Sequence, residues 1–404
     1  MKRPTHQIQL FTSAFTALVA SVLLPSTIHA QGLLGIGHYG SEVSEASPLK
    51  LSVGVEGGYD SNTNTAPSGS ENSSYFGGGG IGLFYAYAND LSRLDLGGNF
   101  GAQWYEDAGP ISDDIFYNTR LSANASHRFS DRFRVTNNSL IAYEIEPNYL
   151  IGASIALRED QYLYWYNRTA LWYQLSKRFS LVTGYAIQGI NYEESLLSTR
   201  EDRLTHVFSQ QLRYSLSSKT AVRAEYRYAM TDYDSINYDY KSHYALGGID
   251  HRFSETTAGT LVAGAEFREY DRFEKTTQPY VEAGLNYRMS TRTSLRWMAR
   301  IGLENNEVFG FSERYSYRTG LTANHAINDR LRATAGVSFV RSDFEGAEFD
   351  SIEEHAVSGQ IGLAYRVVQN VDLRLGYHYT NYSSDNSARD YDRSRVTIGA
   401  TANF

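Results

Sequence analysis

The strongest constraint on the fold is an alternation of apolar and polar residues, with a period of two, that recurs along most of the chain. In 371–380, VDLRLGYHYT, residues of the Val, Leu and Tyr type occupy every second position, and Asp, Arg, Gly, His and Thr lie between them. Segments 222–230, 295–304 and 331–339 repeat the pattern. Successive side chains of a β-strand point to opposite faces, so the pattern predicts strands with one apolar and one polar face.

Short polar turns divide these strands at fairly regular intervals. They lie at 89–90, 130–132, 176–178, 217–219, 254–256, 290–292, 328–330 and 369–370. Between consecutive short turns lies a longer segment rich in acidic residues or tyrosine, as in 193–203, 304–313 and 383–390. Eight short turns and nine long loops predict about eighteen antiparallel strands, an even number that places both chain ends on one side.

Two architectures accommodate such strands: a β-sandwich, which packs its apolar faces inward, and a membrane barrel, which turns them toward lipid. The predicted strands have ten or more residues. Sandwich strands typically have about five or six, whereas about ten suit a tilted crossing of the bilayer. The apolar faces also contain many Ala and Gly residues, which would leave voids in a protein core. We therefore predict an all-β fold for 49–404, a transmembrane antiparallel up-and-down β-barrel of about 18 strands, with about 16 as the alternative count.

Composition agrees with a barrel wall that is polar inside and apolar outside. The mean hydropathy of -0.42 is too polar for a helical membrane protein, yet the chain contains 32 Tyr and 19 Phe. Tyrosine and tryptophan gather toward the predicted strand ends, which predicts aromatic girdles at the membrane interfaces. The examples are Tyr85, Tyr87, Trp104, Tyr105, Tyr164 to Tyr166 and Tyr377 to Tyr382.

The first residues predict export. Lys2 and Arg3 precede a largely apolar run from Leu10 to Leu24, and small residues ending at Ala30 follow it. This order is typical of a cleaved signal peptide, and the run is short for a membrane anchor. We predict a signal peptide over 1–30 and a short periplasmic tail over 31–48.

Charge and residue counts exclude several classes of protein. Removal of Lys2 and Arg3 from the 37 basic residues leaves 35 against 45 acidic residues, so the mature chain is acidic and nucleic acid is not an expected partner. The chain has no cysteine, which rules out a disulfide scaffold and thiolate metal sites. After the leader, no stretch approaches about 18 consecutive apolar residues, so helical membrane spans are not expected.

The carboxyl end carries the most specific pattern. Val396, Ile398, Ala400, Ala402 and Phe404 share one apolar register, and the chain ends on the aromatic residue. The ends of bacterial outer-membrane barrels are similar. This resemblance implies that the terminal strand is recognised by the barrel-assembly machinery.

Alternation also assigns charged residues to the barrel interior. The predicted lumen-lining residues are Arg213, Arg223, Glu225, Arg227, Glu266, Arg268, Glu282, Arg288, Arg296, Arg300, Arg318, Arg332 and Arg374. The set is net basic although the chain is acidic, which predicts an interior that concentrates anions behind an acidic mouth. The alternative is that these Arg and Glu side chains pair across neighbouring strands and fill the barrel. The loop 144–160, which contains Pro147, Leu150 and Ile151, is the candidate constriction.

Metal and catalytic chemistry receive little support. Asp60, Asn62, Asn64 and Glu71 have the spacing of a calcium loop, but Thr65 occupies the position where glycine is required, so a plain Asx-rich loop is favoured. The histidines are scattered, without metal-ligand spacing, and no recognisable nucleophile motif is present. We predict no cofactor and no enzyme activity.

The segment 58–67, GYDSNTNTAP, closes the first predicted strand and resembles the opening of the putative β-barrel porin 2 family. The resemblance extends loosely over 49–404, through hairpins that end in phrases such as HRFSDRF at 127–133. It implies a barrel in the outer membrane of a Gram-negative bacterium, often found among polysaccharide-export neighbours, with no established catalytic residues.

Two functions remain open. The first is a channel for passive diffusion of small or anionic solutes, with an association with polysaccharide export. The second is a non-conducting barrel that anchors polysaccharide or a surface partner through Tyr-rich loops. Both place the chain in outer-membrane lipid, with both termini periplasmic, and give it the barrel-assembly machinery and small solutes or polysaccharide as partners.

Overall fold

The computed structural model describes residues 49–109, 114–146, 160–305, 311, 313–346 and 351–404. The predicted signal peptide and periplasmic tail, 1–48, lie outside the described residues and stay predictions. Eighteen strands, one α-helix and one short 3-10 helix are present in the described part of the chain. The strands are β1 Leu49–Asp60, β2 Ser74–Ala88, β3 Ser92–Tyr105, β4 Ile115–Arg128, β5 Phe133–Glu144, β6 Tyr162–Gln174, β7 Phe179–Tyr192, β8 Arg203–Ser215, β9 Thr220–Tyr233, β10 Tyr240–Arg252, β11 Thr257–Tyr270, β12 Thr276–Arg288, β13 Thr293–Glu304, β14 Glu313–Ala326, β15 Leu331–Glu345, β16 Ile352–Val368, β17 Val371–Ser384 and β18 Tyr391–Asn403. Helix α1 is Ser195–Glu201, and the 3-10 helix is Ser387–Arg389.

The strands form one closed antiparallel ring. Each strand pairs with its neighbours in the chain, and β1 pairs with β18 as well as with β2. The closing register joins Ser52 to Asn403 and Asp60 to Arg395. The prediction of an up-and-down barrel with eighteen strands is confirmed, and the alternative of sixteen is wrong. No helix within the described residues is both long and apolar enough to span a membrane.

The alternation in the sequence becomes two faces of the barrel wall. On β17, Leu373 is 50% exposed on the outer face, whereas its neighbours Asp372 and Arg374 are buried on the inner face. On β9, Tyr226 is exposed between the buried Arg223 and the partly buried Arg227. Lipid is the medium that suits the exposed Leu, Val, Ile and aromatic side chains, because it solvates apolar groups.

Connections of two lengths separate the two ends of the barrel. Eight connections of two to four residues lie at one end of the barrel, which we call the short-turn rim. Nine connections of five or more residues lie at the other end, which we call the long-loop rim. The described chain begins and ends at the short-turn rim, where the Leu51 N–H donates to the Phe404 carbonyl (3.1 Å) and the Phe404 N–H donates to the Leu51 carbonyl (2.8 Å). Val396, Ile398 and Phe404 are exposed on β18 or just after it, and their recognition by the assembly machinery stays a prediction.

The short-turn rim combines apolar and basic side chains. At or beside each of the eight turns lies an exposed large apolar residue: Leu91, Phe129, Leu175, Leu216, Phe253, Met289, Ile327 and Val367. The exposed basic residues of this rim are Arg93, Arg132, Lys177, Arg178, Lys219, Arg288, Arg292, Arg330 and Arg366. The long-loop rim is acidic by contrast, since loop 193–202 contains four acidic residues and one arginine.

The close approach of the backbones of β10 and β11 at Gly264 gives a test of the pairing of these two strands. A Cβ atom on Gly264 would lie 2.0 Å from the carbonyl oxygen of Ala245, whereas one on Gly247 would meet nothing within 4 Å. We expect Gly264→Ala to lower stability by about 1–3 kcal/mol because the backbone must shift, and Gly247→Ala to act as the matched neutral variant. The measurement is the temperature at which the detergent-folded barrel loses its compact mobility on a gel. Equal midpoints for the two variants would contradict the pairing.

Candidate functional site in the barrel interior

The barrel interior contains a cavity of about 310 Å³ against strands β6 to β14. Five tyrosines, five arginines and two glutamates contribute to its lining: Tyr164, Tyr166, Tyr240, Tyr244, Tyr280, Arg223, Arg227, Arg268, Arg300, Arg318, Glu282 and Glu304. We call this the Tyr–Arg cavity. Its volume lies at the lower end of the range of about 300–1,000 Å³ that small-molecule sites occupy.

Arg227 organises the middle of the cavity. Its guanidinium donates from Nε to Glu225 (2.5 Å) and from both terminal nitrogens to Glu282 (3.0 and 3.2 Å). It also donates to the Tyr280 hydroxyl at 3.0 Å, and that hydroxyl donates in turn to Glu282. The paired, bidentate contacts hold the Glu282 carboxylate in one position and neutralise its charge.

Arg300 lies on β13, opposite Glu282 in the register of β12 and β13, yet it makes no ion pair with any residue that the structure describes. Its guanidinium carbon lies 5.6 Å from the centre of the Tyr280 ring, and its buried Nε has no hydrogen-bond partner within the described chain. Since Arg227 already holds Glu282, Arg300 presents a positive charge and unused donors to the cavity.

Toward the long-loop rim, the arginines of the cavity are paired. Arg268 donates to Glu266 (2.8 Å) and to Ser242 (3.2 Å), and its guanidinium lies 4.1 Å from the centre of the Tyr240 ring. Arg318 forms an ion pair with Glu304. These contacts follow the alternative in which interior Arg and Glu side chains pair and fill the wall.

Toward the short-turn rim, Asp250 pairs with two arginines. Arg213 and Arg223 both contact its carboxylate, the latter at 3.4 Å. Arg134 and Arg213 each lie over the Trp172 ring, 5.1 and 5.2 Å from its centre. The Trp172 ring therefore attracts two cations, which offsets part of the repulsion between the two guanidinium groups.

A second network lies on the other side of the interior, against β18, β1 and β3. Arg393 donates to Asp60 (2.9 Å) and to Glu146 (2.6 Å), and Arg395 donates to Glu146 (3.2 Å) and to Gln103 (2.9 Å). All five side chains are buried. Asp60 and Arg393 are 333 residues apart in the chain, and only closure of the ring brings them together.

Glu146 belongs to the segment that we predicted as a constriction. It follows β5, yet its carboxylate reaches β18, so the start of the loop folds into the barrel. The hydroxyl of Tyr162 donates to the Glu146 carbonyl at 3.0 Å, and Ile145 packs with Phe76, Tyr105 and Phe116. Residues 147–159, with Pro147, Leu150 and Ile151, lie outside the described residues.

The predicted lumen-lining residues divide into three groups in the structure. Those in described ion pairs are Arg213, Arg223, Glu225, Arg227, Glu266, Arg268, Glu282, Arg318 and Arg332. Arg300 lines the Tyr–Arg cavity as described above. Arg288, Arg296 and Arg374 lie outside the cavity lining: Arg288 is exposed at the short-turn rim, Arg296 donates to Asn286 (3.0 Å), and Arg374 is buried.

The oxygens of the calcium-loop candidate serve internal contacts. Asp60 binds Arg393, the Asn62 amide donates to the Ala66 carbonyl (2.8 Å), and Asn64 accepts from the Asn72 N–H (3.3 Å). Glu71 is exposed and accepts from the Gly69 N–H at 2.6 Å, and the backbone N–H groups of Glu71 and Gly69 lower the pKa of its carboxyl. Within the described residues, no group of three or more His, Cys, Asp or Glu side chains is arranged to hold a metal ion.

The inward tyrosines are the residues that sequence reasoning missed. Tyr164 is only 4% exposed, and both it and Tyr166 line the cavity, so their placement in an interfacial girdle is wrong. Tyr105 is likewise fully buried, whereas Tyr87 and Trp104 are exposed as predicted. The alternation carries the missing signal, because Tyr164 and Tyr166 share a register with the inward Arg168 rather than with the outward Leu163 and Leu171.

Comparison with solved structures finds other barrels. The structure of OccAB4 from Acinetobacter baumannii is 11% identical, with a TM-score of 0.44, and the alignment covers 89% of this chain and 99% of that chain. OccK2 from Pseudomonas aeruginosa, in complex with glucuronate, is 10% identical, with a TM-score of 0.48 and coverage of 88% and 98%. OpdK from Pseudomonas aeruginosa, with vanillate, is 11% identical, with a TM-score of 0.44 and coverage of 88% and 99%.

No relative is found among the curated proteins. A family model described as putative beta-barrel porin 2 matches residues 49–404, which is the whole of the barrel. This match and the closed eighteen-strand ring point to a channel protein of the Gram-negative outer membrane rather than to an enzyme. The chain belongs to the putative beta-barrel porin 2 family.

Proposed function

We propose that the barrel is a channel for passive diffusion of small anionic solutes, with the Tyr–Arg cavity as the site where the solute binds on its way. The observation that carries the proposal is Arg300. It is a partly buried cation inside the barrel, it has no ion-pair partner among the described residues, and its Nε lacks a hydrogen bond there. An arginine in this state gains most from an anionic ligand, because burial of an unpaired charge is costly.

The charge balance of the cavity supports an anion. Of the five arginines in its lining, four have a carboxylate partner: Arg223 pairs with Asp250, Arg227 with Glu282, Arg268 with Glu266 and Arg318 with Glu304. Arg300 is left as the excess positive charge of the lining among the described residues, and a fixed excess of positive charge raises the local concentration of anions. Among the arginines that line the cavity, Arg300 is therefore the one without an ion pair in the described part of the chain, and it is free to act on a solute.

The tyrosines narrow the chemistry of the solute. The ring of Tyr280 lies against both Arg227 and Arg300, whose guanidinium carbons are 5.5 and 5.6 Å from the centre of that ring. A ligand with a carboxylate and a ring would place the carboxylate at Arg300 and the ring against a tyrosine face. Sugar acids combine a carboxylate with a ring, and we propose them as solutes of the channel. We also propose an association of the channel with polysaccharide export.

A non-conducting barrel is the second candidate. The buried network of Asp60, Arg393, Glu146 and Arg395 occupies part of the interior and draws the start of loop 144–160 inward. A barrel filled in this way would bind polysaccharide or a partner protein through its loops and pass no solute. Conductance separates the two candidates.

We further propose that the short-turn rim faces the periplasm, with both chain ends, and that the long-loop rim faces the outside. Outer-membrane barrels combine short periplasmic turns with longer external loops. Assembly through the barrel-assembly machinery and insertion into outer-membrane lipid belong to the same proposal.

The first prediction concerns current. Purified protein in planar bilayers is expected to give stepwise currents, and the reversal potential in a KCl gradient is expected to show anion preference. Arg300→Glu should move that potential toward cation preference, because it replaces the unpaired cation of the cavity with an anion. Absence of current at every voltage would leave the non-conducting barrel as the function.

The second prediction concerns solute binding. Glucuronate is expected to reduce the current in a saturable manner, and glucose, its neutral counterpart, is not. A hydrogen bond to a charged group contributes about 1.5–3 kcal/mol, so Arg300→Gln should raise the half-blocking concentration of glucuronate about tenfold or more. Arg296→Gln is the matched control, because Arg296 lies on the same strand and donates to Asn286 outside the cavity lining. Equal effects of the two variants would reject the site.

The third prediction concerns orientation. The chain has no cysteine, so single cysteines report cleanly. Ser218 and Ser235 are exposed at opposite ends of β9. A membrane-impermeant maleimide is expected to label Ser235→Cys in intact cells, and Ser218→Cys only after the outer membrane is permeabilised. The reverse order of labelling would invert the proposed orientation.

A further inference from the structure

We propose that the short-turn rim is a binding surface for the headgroups of anionic phospholipids. The inference rests on the barrel and its rims alone, so it stands or falls independently of the proposed channel. Its basis is a repeated pairing of exposed cations with exposed apolar side chains around one end of the barrel.

Four cations of this rim are available to a ligand. Arg132, Lys177, Lys219 and Arg330 are exposed, lie on four different turns, and form no ion pair with any residue of the described ranges. Other rim cations have partners, since Arg93 binds Asp95 (2.7 Å). The rim therefore presents positive charges on three consecutive hairpins and on the β14–β15 turn, and the exposed Asp131 and Asp329, which precede Arg132 and Arg330 in the chain, form no ion pair with them.

The apolar residues of the same turns place these cations relative to lipid. Phe129 and Phe253 are 63% and 60% exposed, and their rings lie edge-on to His127 and His251, with centres 4.4 and 4.6 Å apart. Apolar side chains exposed as far as the turns are stabilised when hydrocarbon reaches that level. Cations two or three residues further along the turn then lie at the level of the headgroups, where aromatic and basic side chains gather.

The negative charge of the long-loop rim explains why an anionic lipid would bind at the short-turn rim instead. Loop 193–202 carries Glu193, Glu194, Glu201 and Asp202 against Arg200, and the exposed Glu194 keeps a lowered pKa because the backbone N–H groups of Leu196 and Leu197 donate to it. An anionic surface is repelled by such loops and attracted by the short-turn rim. Of the two ends of the barrel, the short-turn rim is therefore the one that attracts an anionic lipid surface.

The experiment compares vesicles of phosphatidylcholine with vesicles of phosphatidylcholine and phosphatidylglycerol. In the wild type, phosphatidylglycerol is expected to raise the midpoint of thermal unfolding on gels and to be retained in native mass spectra. Each interfacial cation contributes about fivefold to the affinity for an anionic membrane surface. The variant Arg132→Gln, Lys177→Gln, Lys219→Gln, Arg330→Gln should thus retain at least about tenfold less phosphatidylglycerol.

Controls separate this surface from general charge effects. Arg272→Gln with Lys275→Gln removes two exposed cations from the long-loop rim and should leave lipid retention unchanged. Free inorganic phosphate should not raise the midpoint, and about 1 M salt should abolish the effect of phosphatidylglycerol on the wild type, because the Debye length is then about 3 Å.

The proposal would be overturned by equal midpoints of the wild type in the two vesicles, by retention that survives in the fourfold variant, or by equal loss in the long-loop control. If the fourfold variant fails to fold, the unfolding midpoints of the wild type in the two kinds of vesicle, at low and at high salt, still test whether the rim binds anionic lipid. A midpoint raised equally by free phosphate would assign the rim to a soluble anion and reject the lipid.

Discussion

The pairing of β1 with β18 is the contact on which the rest of the molecule depends. Lipid offers no hydrogen bonds, so each backbone N–H and C=O inside the hydrocarbon needs a partner in the protein, and an open sheet edge would leave a row of them unsatisfied. The register from Ser52–Asn403 to Asp60–Arg395 joins the two ends of the chain and gives every strand two neighbours. Once the ring is closed, the period-two alternation can only mean one face toward lipid and one toward the interior.

Closure then sets an electrostatic problem for the interior. Polar side chains from eighteen strands converge in the interior, and a charge buried there without a partner is expensive. Most of these charges are neutralised in ion pairs and in groups of three charged side chains. In two such groups, Asp250 lies between Arg213 and Arg223, and Glu146 lies between Arg393 and Arg395. Removal of one member of such a buried pair typically costs about 3–5 kcal/mol, because the other charge is left alone. Among the arginines of the Tyr–Arg cavity, Arg300 has no ion pair with any described residue, and it is therefore the one that suits a ligand.

Much of this could be predicted from local pattern. The alternation in 371–380 gives the correct faces for Asp372, Leu373 and Arg374, and the short turns lie where polar residues interrupt it. Aromatic residues were harder, because a tyrosine near a strand end fits a membrane girdle as well as an interior wall. Tyr164 and Tyr166 were misplaced for that reason, although their register with Arg168 holds the correct answer.

By itself the sequence determined the strands, their approximate number, the face of most residues and the acidity of the long loops, because these follow from nearest-neighbour alternation and from turn residues within a few positions. The tertiary structure alone decided which charges meet, since Asp60 and Arg393 lie 333 residues apart and Glu146 reaches a strand 247 residues away. It also decided that Arg227 holds Glu282, so that Arg300 has no ion pair with any residue in the described ranges. The alternation tells only that a side chain points inward. Its partners depend on the stagger of the strands and on distances across the barrel interior, which are set only when the barrel closes.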